Sequence, residues 1–150
     1  MNNFEQLSNN ISGFDLDHYL ELWFDTNTEF ITGLNKQRLL EEGTDVEGKE
    51  IRTFKAEQGE VYSGFTITEK QKSGQPTDKV TLFDTGEFHK SFKVDSDKKG
   101  FVIKGEDEKD DGKISDNVNL EMALGIFDLQ PIIDKLKVDL KEEVLLILLG

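Results

Sequence analysis

The stretch from Val80 to Val94 constrains the fold more than any other part of the chain. It reads as a short helix that runs directly into a strand. Asp84 stands where a carboxylate accepts from the backbone N–H groups of a first helical turn. Glu87, three residues on, stands where a carboxylate reaches back to the cap's own N–H. Phe83 and Phe88 occupy the two positions of a hydrophobic staple. Phe88 and Phe92 are four apart and share one helical face. The stretch therefore predicts a rigid corner, Asp84, Thr85, Gly86 and Glu87, that aims the Phe88–Phe92 face into a core. It describes shape and carries no chemistry.

A chain of 150 residues is the size of one domain with a substantial core. The sequence predicts a single domain over 1–150, with a flexible arm at 1–13 and an apolar tail at 144–150. The net charge is −13, which predicts a soluble chain that free nucleic acid repels. The charge is uneven. Residues 1–60 carry 13 acids and 5 bases, residues 88–104 carry 2 and 5, and residues 105–150 carry 12 and 5. A basic centre between acidic ends reads either as lysines solvated on a hairpin or as a surface that attracts the next subunit. There is no cysteine, which excludes disulfides and thiolate chemistry. Met1 to Glu5 lack the pattern of a secretory signal. The longest apolar run, Val144 to Leu149, is too short to span a bilayer, and no membrane partner is expected.

Leu16, Tyr19, Leu20, Trp23, Phe24, Phe30, Ile31 and Leu34 recur at helical spacing and predict a long amphipathic helix. Its stripe reads as core. Asn27 and Thr28 interrupt it, Gly33 marks an end or kink, and a second helix from Asn35 to Glu42 stops at Gly43. Residues 43–60 read as loop, with a turn at Asp45–Gly48 and anchors at Ile51 and Phe54. The segment after Val61 reads either as a strand to Thr66 or as a helix from Thr66 to Lys72. A turn follows at Ser73–Asp78. Phe92–Ser96 and Gly100–Lys104 frame a β-hairpin. Residues 105–112 form an exposed acidic loop. A helix starts at Ser115 or Asp116 and ends at Gly125, and Asp128 caps a last one that tolerates Pro131 in its first turn. Val144–Leu149 is apolar on every side, so it belongs in the centre of the core or at an interface. The expected class is α+β: a long N-terminal amphipathic helix and C-terminal helices packed on a small antiparallel sheet with a central β-hairpin.

No motif in the chain points to a catalytic or metal chemistry. The acidic loop from Asp107 departs from a calcium loop at Lys109, and again at Val118 where a bidentate Glu is needed. His18 and His89 form no ligand pair; His18 in the first helix reads as a capping or surface group, and His89 as a surface group. Ser91 near His89 has no nucleophile elbow around it. No phosphate-binding glycine loop is present, and no basic stripe with interleaved aromatics. Asp15, Asp17, Glu21, Asp25 and Glu29 mark the wet side of the first helix. The chain is expected to be no enzyme and to use no cofactor or metal.

The box Leu82, Asp84, Thr85, Gly86, Phe88, Ser91 and Phe92 resembles a signature of tailed-phage virion-morphogenesis proteins. In that family the box enters a short helix and then a β-hairpin. The wider context, Leu34–Leu39 and Lys72–Leu82, is similar to small proteins of crAss-like short-tailed phages. The family's basic residue after the glycine is Glu87 here, and the apolar C-terminal run lies outside the pattern. The resemblance implies a virion structural protein of the neck or tail, a head–tail connector or tail-completion subunit that forms a ring and is made in the host cytoplasm. Its partners would be further copies and other connector, portal or tail proteins, and packaged DNA would slide past an acidic wall. Lys93, Lys98, Lys99, Val144, Leu145, Leu148 and Leu149 are the candidate interface residues. The alternative reading is an acidic mimic of DNA that blocks a DNA-binding enzyme.

Overall fold

The structure is a computed structural model and describes residues 3–97, 99–110 and 112–149. It is an α+β fold. Helices α1 (Asn3–Ser12), α2 (Leu16–Thr26), α3 (Thr28–Glu41) and α4 (Gly64–Lys72) precede the short α5 (Glu87–Lys90) and the strands β1 (Lys93–Asp97) and β2 (Gly100–Lys104). A two-residue pair, β3 (Glu108–Lys109) and β4 (Gly112–Lys113), leads through a 3-10 turn at Ile114–Asp116 to α6 (Leu120–Ala123) and α7 (Gln130–Leu149).

The long helix expected from Leu16 breaks at Asn27, and Gly33 lies inside α3. The cause is local. The Asn27 backbone N–H and its side-chain Nδ2 both donate to the Trp23 carbonyl, at 3.0 and 2.8 Å. Thr28 Oγ1 donates to Asp25 O at 3.0 Å. These groups satisfy the carbonyl end of α2 and leave Asn27 O to accept from Ile31 N and begin α3. Gly33 has no crowding and keeps ordinary helical backbone, so α3 runs unbroken through Asn35 to Glu41. It stops at Gly43, which has φ +64°. A Cβ there would lie 2.6 Å from Lys79 Cβ, so both conformation and space require glycine.

The core gathers Trp23, Ile31, Leu39, Ile51, Val61, Tyr62, Val80, Phe92, Ile103, Val118, Ala123 and Ile132. The β1–β2 register pairs Val94 with Ile103 and Ser96 with Phe101, and strand alternation turns these four inward. Phe101 packs on Phe24 of α2 with ring centroids 4.9 Å apart. Ser96 Oγ donates to Asp25 at 2.9 Å. The aromatic stripe of α2 is thus core, as its spacing predicts, while Asp15, Asp17, Asp25 and Glu29 are exposed. Ile51 is the anchor it was expected to be. Phe54 is not, since its side chain is 65% exposed; only its backbone N–H is tied down, to Asn117 O at 2.7 Å. The segment after Val61 resolves as a helix, because Ser63 Oγ accepts from Thr66 N and caps α4.

Residues 3–12 of the expected arm form α1, which packs against α7 and donates from Asn10 Nδ2 to Ile147 O at 3.1 Å. Trp23 Nε1 donates to Asp139 Oδ2 at 2.8 Å and ties α2 to α7, and Lys135 Nζ, within α7, donates to the same oxygen at 2.8 Å. Those two bonds hold the Asp139 carboxyl below its usual range.

Candidate functional site

The corner at residues 80–92 is built differently from its sequence reading. α5 starts from Gly86, whose φ of +87° is left-handed and whose side has no capping hydrogen bond. Asp84 is exposed and accepts from Gln75 Nε2 at 3.3 Å, away from the helix. Thr85 Oγ1 accepts from Glu87 N at 3.4 Å. Glu87 is exposed, and the expected capping box does not form because the chain reverses through glycine instead. The staple of Phe83 on Phe88 is replaced by an edge-on contact of Phe83 with His89, 5.5 Å between centroids. Phe88 and Phe92 do share a face, edge-on at 4.9 Å, and Phe92 is buried in the core.

His89 is buried, not on the surface: it is 5% exposed. Its Nε2 lies 2.9 Å from Thr81 O, and a carbonyl only accepts, so Nε2 carries the proton. Burial lowers its pKa and the nearby Lys36 adds to that, against the Thr81 bond. Directly after Thr81, Leu82 has φ +52°, a left-handed conformation that costs about 1–2 kcal/mol outside glycine. The Leu82 side chain packs on the core, and burial holds the strained backbone in place.

The other expected residues fall on two further surfaces. Lys93 and Lys99 are exposed on the β1–β2 hairpin; Lys98 lies outside the described residues. Lys104 is engaged by Asp95 across the strands. On α7, Val144 and Leu148 are half-buried, while Leu145, Leu146 and Leu149 are 45%, 68% and 83% exposed. This run is therefore not in the centre of the core. In the acidic loop, Asp107 accepts from Ser115 N and Oγ at 2.7 and 2.6 Å, and these bonds lower its pKa. Among the described residues no group of three or more His, Asp or Glu is placed to hold a metal, and no helix is long and apolar enough to cross a membrane.

One polar cluster was missed. Asn35 is fully buried; its Nδ2 donates to Ala123 O and its Oδ1 accepts from Gly125 N, both at 3.1 Å. Arg38 Nη2 donates to Ala123 O at 2.7 Å and to Gly125 O at 3.3 Å. Two side chains of α3 thus clamp the turn between α6 and α7. Beside the clamp is a cavity of about 200 Å³, lined by Leu34, Arg38 and Phe127 among others. The signal was present in the sequence: Ile31, Asn35, Arg38 and Leu39 share one helical face, so two polar residues interrupt a core stripe. No family model matches the chain, and no curated protein or solved structure matches it.

Proposed function

We propose that the chain is a non-enzymatic structural subunit of a tailed-phage virion, a head–tail connector or tail-completion component that assembles into a ring. The observation that supports this reading is the apolar outer side of α1 and α7. Leu7 and Ile11 on α1, and Leu145, Leu146 and Leu149 on α7, are exposed large aliphatics on two packed helices. Exposed aliphatic groupings of this kind mark interaction surfaces. A heterologous contact repeated about an axis closes a ring. Charge adds a second contact in the same scheme: Lys93 and Lys99 project from the hairpin, while Asp15 at the cap of α2, Asp17 on α2 and Glu29 on α3 lie exposed. In this reading one subunit's hairpin meets the next one's acidic helix. The net negative charge suits a wall past which DNA moves without sticking.

Native mass spectrometry and sedimentation test the reading, on the chain alone and with the portal protein encoded in the same genome. A discrete oligomer is expected in one of the two. Leu146→Lys combined with Leu149→Lys should reduce it to monomer with an unchanged circular dichroism spectrum. A chain that stays monomeric at every concentration, alone and with portal, overturns the proposal, as does a genome without a portal gene.

A further inference from the structure

Helix α1 is weakly held by its own chain. A helix of 10 residues is marginal in water and needs packing to persist. α1 packs on α7, where Asn10 Nδ2 donates to Ile147 O at 3.1 Å. Yet Asn10 is the one residue from Glu5 to Ser12 that is not exposed, and the aliphatics Leu7 and Ile11 are 39% and 49% exposed. Elements with so little buried apolar contact open at low free energy. The start of α2 does not depend on α1, because Asp15 Oδ1 accepts from His18 N and caps it. Phe14 is anchored on the α2 side by its contact with Tyr19, 5.7 Å between centroids. That leaves Gly13 as the hinge: a Cβ there would meet nothing within 4 Å. Opening it breaks the bond from Phe14 N to Ile11 O, 3.0 Å, and frees α1 as a unit.

The seat of α1 on α7 is defined by the helix that fills it. The same helix from a second copy makes the same contacts, and a short hinge favours such an exchange. Charge points to the same occupant. Copies of a chain with net charge −13 repel one another, but Glu5 is the one charged residue in Asn3–Ser12, and 144–149 has none. Two copies therefore meet here with little repulsion. We infer that, in the assembly proposed above, α1 of each subunit lies on α7 of the next. The inference rests on that reading and names the contact that joins its subunits. Each subunit gives one helix and receives one, which is the heterologous contact that a ring closes on. The exchange draws neighbouring bodies together along α1 and α7, where Leu7, Ile11, Leu145, Leu146 and Leu149 gain cover that a lone chain does not give them.

The chain has no cysteine, so introduced thiols report position alone. Full-length chains carrying Asn10→Cys are mixed with chains carrying Ile147→Cys, alone and with the portal protein, and oxidised. A disulfide between positions 10 and 147, identified by mass spectrometry, then joins two different chains. It should form at least tenfold faster than the link between Ser8→Cys and Ile147→Cys chains, since Ser8 lies on the other side of α1. In the double variant, Asn10→Cys with Ile147→Cys, oxidation at high dilution locks α1 onto its own chain. The locked chain should assemble at least tenfold less than the same chain unlocked. Should Ile147→Cys fail to fold, Leu146→Cys with a short bismaleimide cross-linker replaces it in both arms. An oligomer in which the 10–147 link forms no faster than the control overturns the exchange and leaves the ring intact, as does a locked chain that assembles as well as the unlocked one. If no oligomer forms, alone or with portal, the ring and the exchange are both overturned.

Discussion

The corner at residues 80–92 and the clamp of α3 on residues 123–125 each bury one basic side chain, and they treat it in opposite ways. His89 sits among Phe83, Phe88 and Phe92 and makes one hydrogen bond, to Thr81 O. A neutral imidazole has one donor, so the corner satisfies that donor. Arg38 cannot shed its charge, and the clamp satisfies only Nη2. The corner is thus closed on itself and serves shape. The clamp is left incomplete, with Arg38 Nε and Nη1 buried and without a partner. The difference teaches that burial is settled locally for a base that can lose its proton and is left in part unmet for one that cannot.

The clamp should carry more of the stability than the corner, and Asn35→Ala tests this with the largest expected effect. The substitution removes two hydrogen bonds, orphans the Gly125 N–H and leaves a small void, at a cost of about 3 kcal/mol. Urea unfolding followed by circular dichroism measures it. A loss below about 1 kcal/mol would mean that the turn before α7 is held by its apolar contacts and that the clamp is secondary.

The corner is set by backbone conformation, and the expected effect there is smaller. Gly86→Val must place a β-branched residue at φ +87°, and its Cβ would lie 3.0 Å from the Phe83 ring. That ring is 40% exposed and can swing aside, so the cost is mainly the left-handed backbone, about 2 kcal/mol. Asp84→Ala should change stability by less than about 0.5 kcal/mol, the range of ordinary surface substitutions, because Asp84 caps no helix. If Asp84→Ala matched Gly86→Val in the same denaturation experiment, the capped-helix reading of this stretch would be restored.

What could be read in advance followed from local periodicity. The two stretches Phe92–Ser96 and Gly100–Lys104 about a short polar turn placed the hairpin, and the four-residue spacing of Phe88 and Phe92 placed their shared face. Gly33 misled because helix propensity alone ignores what surrounds a residue, whereas Asn27 stops α2 through a bond from its own side chain. Asn35 and Arg38 stood on the core face of α3, but their partners lie 85 to 90 residues away, and no local pattern encodes backbone carbonyls at that distance. His89 reads as a surface group in sequence, where it follows Phe88 and no local partner marks it; the carbonyl that receives it belongs to Thr81, on the far side of the left-handed turns at Leu82 and Gly86. The run at Val144–Leu149 was legible as apolar, and only the packing of α1 along α7 decided which of its sides are covered.

The sharpest separation of the two buried bases is their response to pH. The folded pKa of His89 lies below the ordinary value of 6.5, so between the two values the unfolded chain binds the proton and the folded chain does not. By linkage, stability rises with pH across that window. The contribution is fully present above about pH 6.5 and is lost progressively as pH falls through the folded value. Arg38 titrates nowhere in this range and adds no slope. Unfolding midpoints in urea from pH 7.5 to 5 should therefore fall toward acid in the native chain. In His89→Gln, whose side-chain amide can still donate to Thr81 O, the curve should flatten over the same interval, while Arg38→Met should keep the native slope. A native chain whose midpoint is level between pH 7.5 and 5 would mean that the corner accommodates the imidazolium, and the contrast between a closed corner and an open clamp would fail.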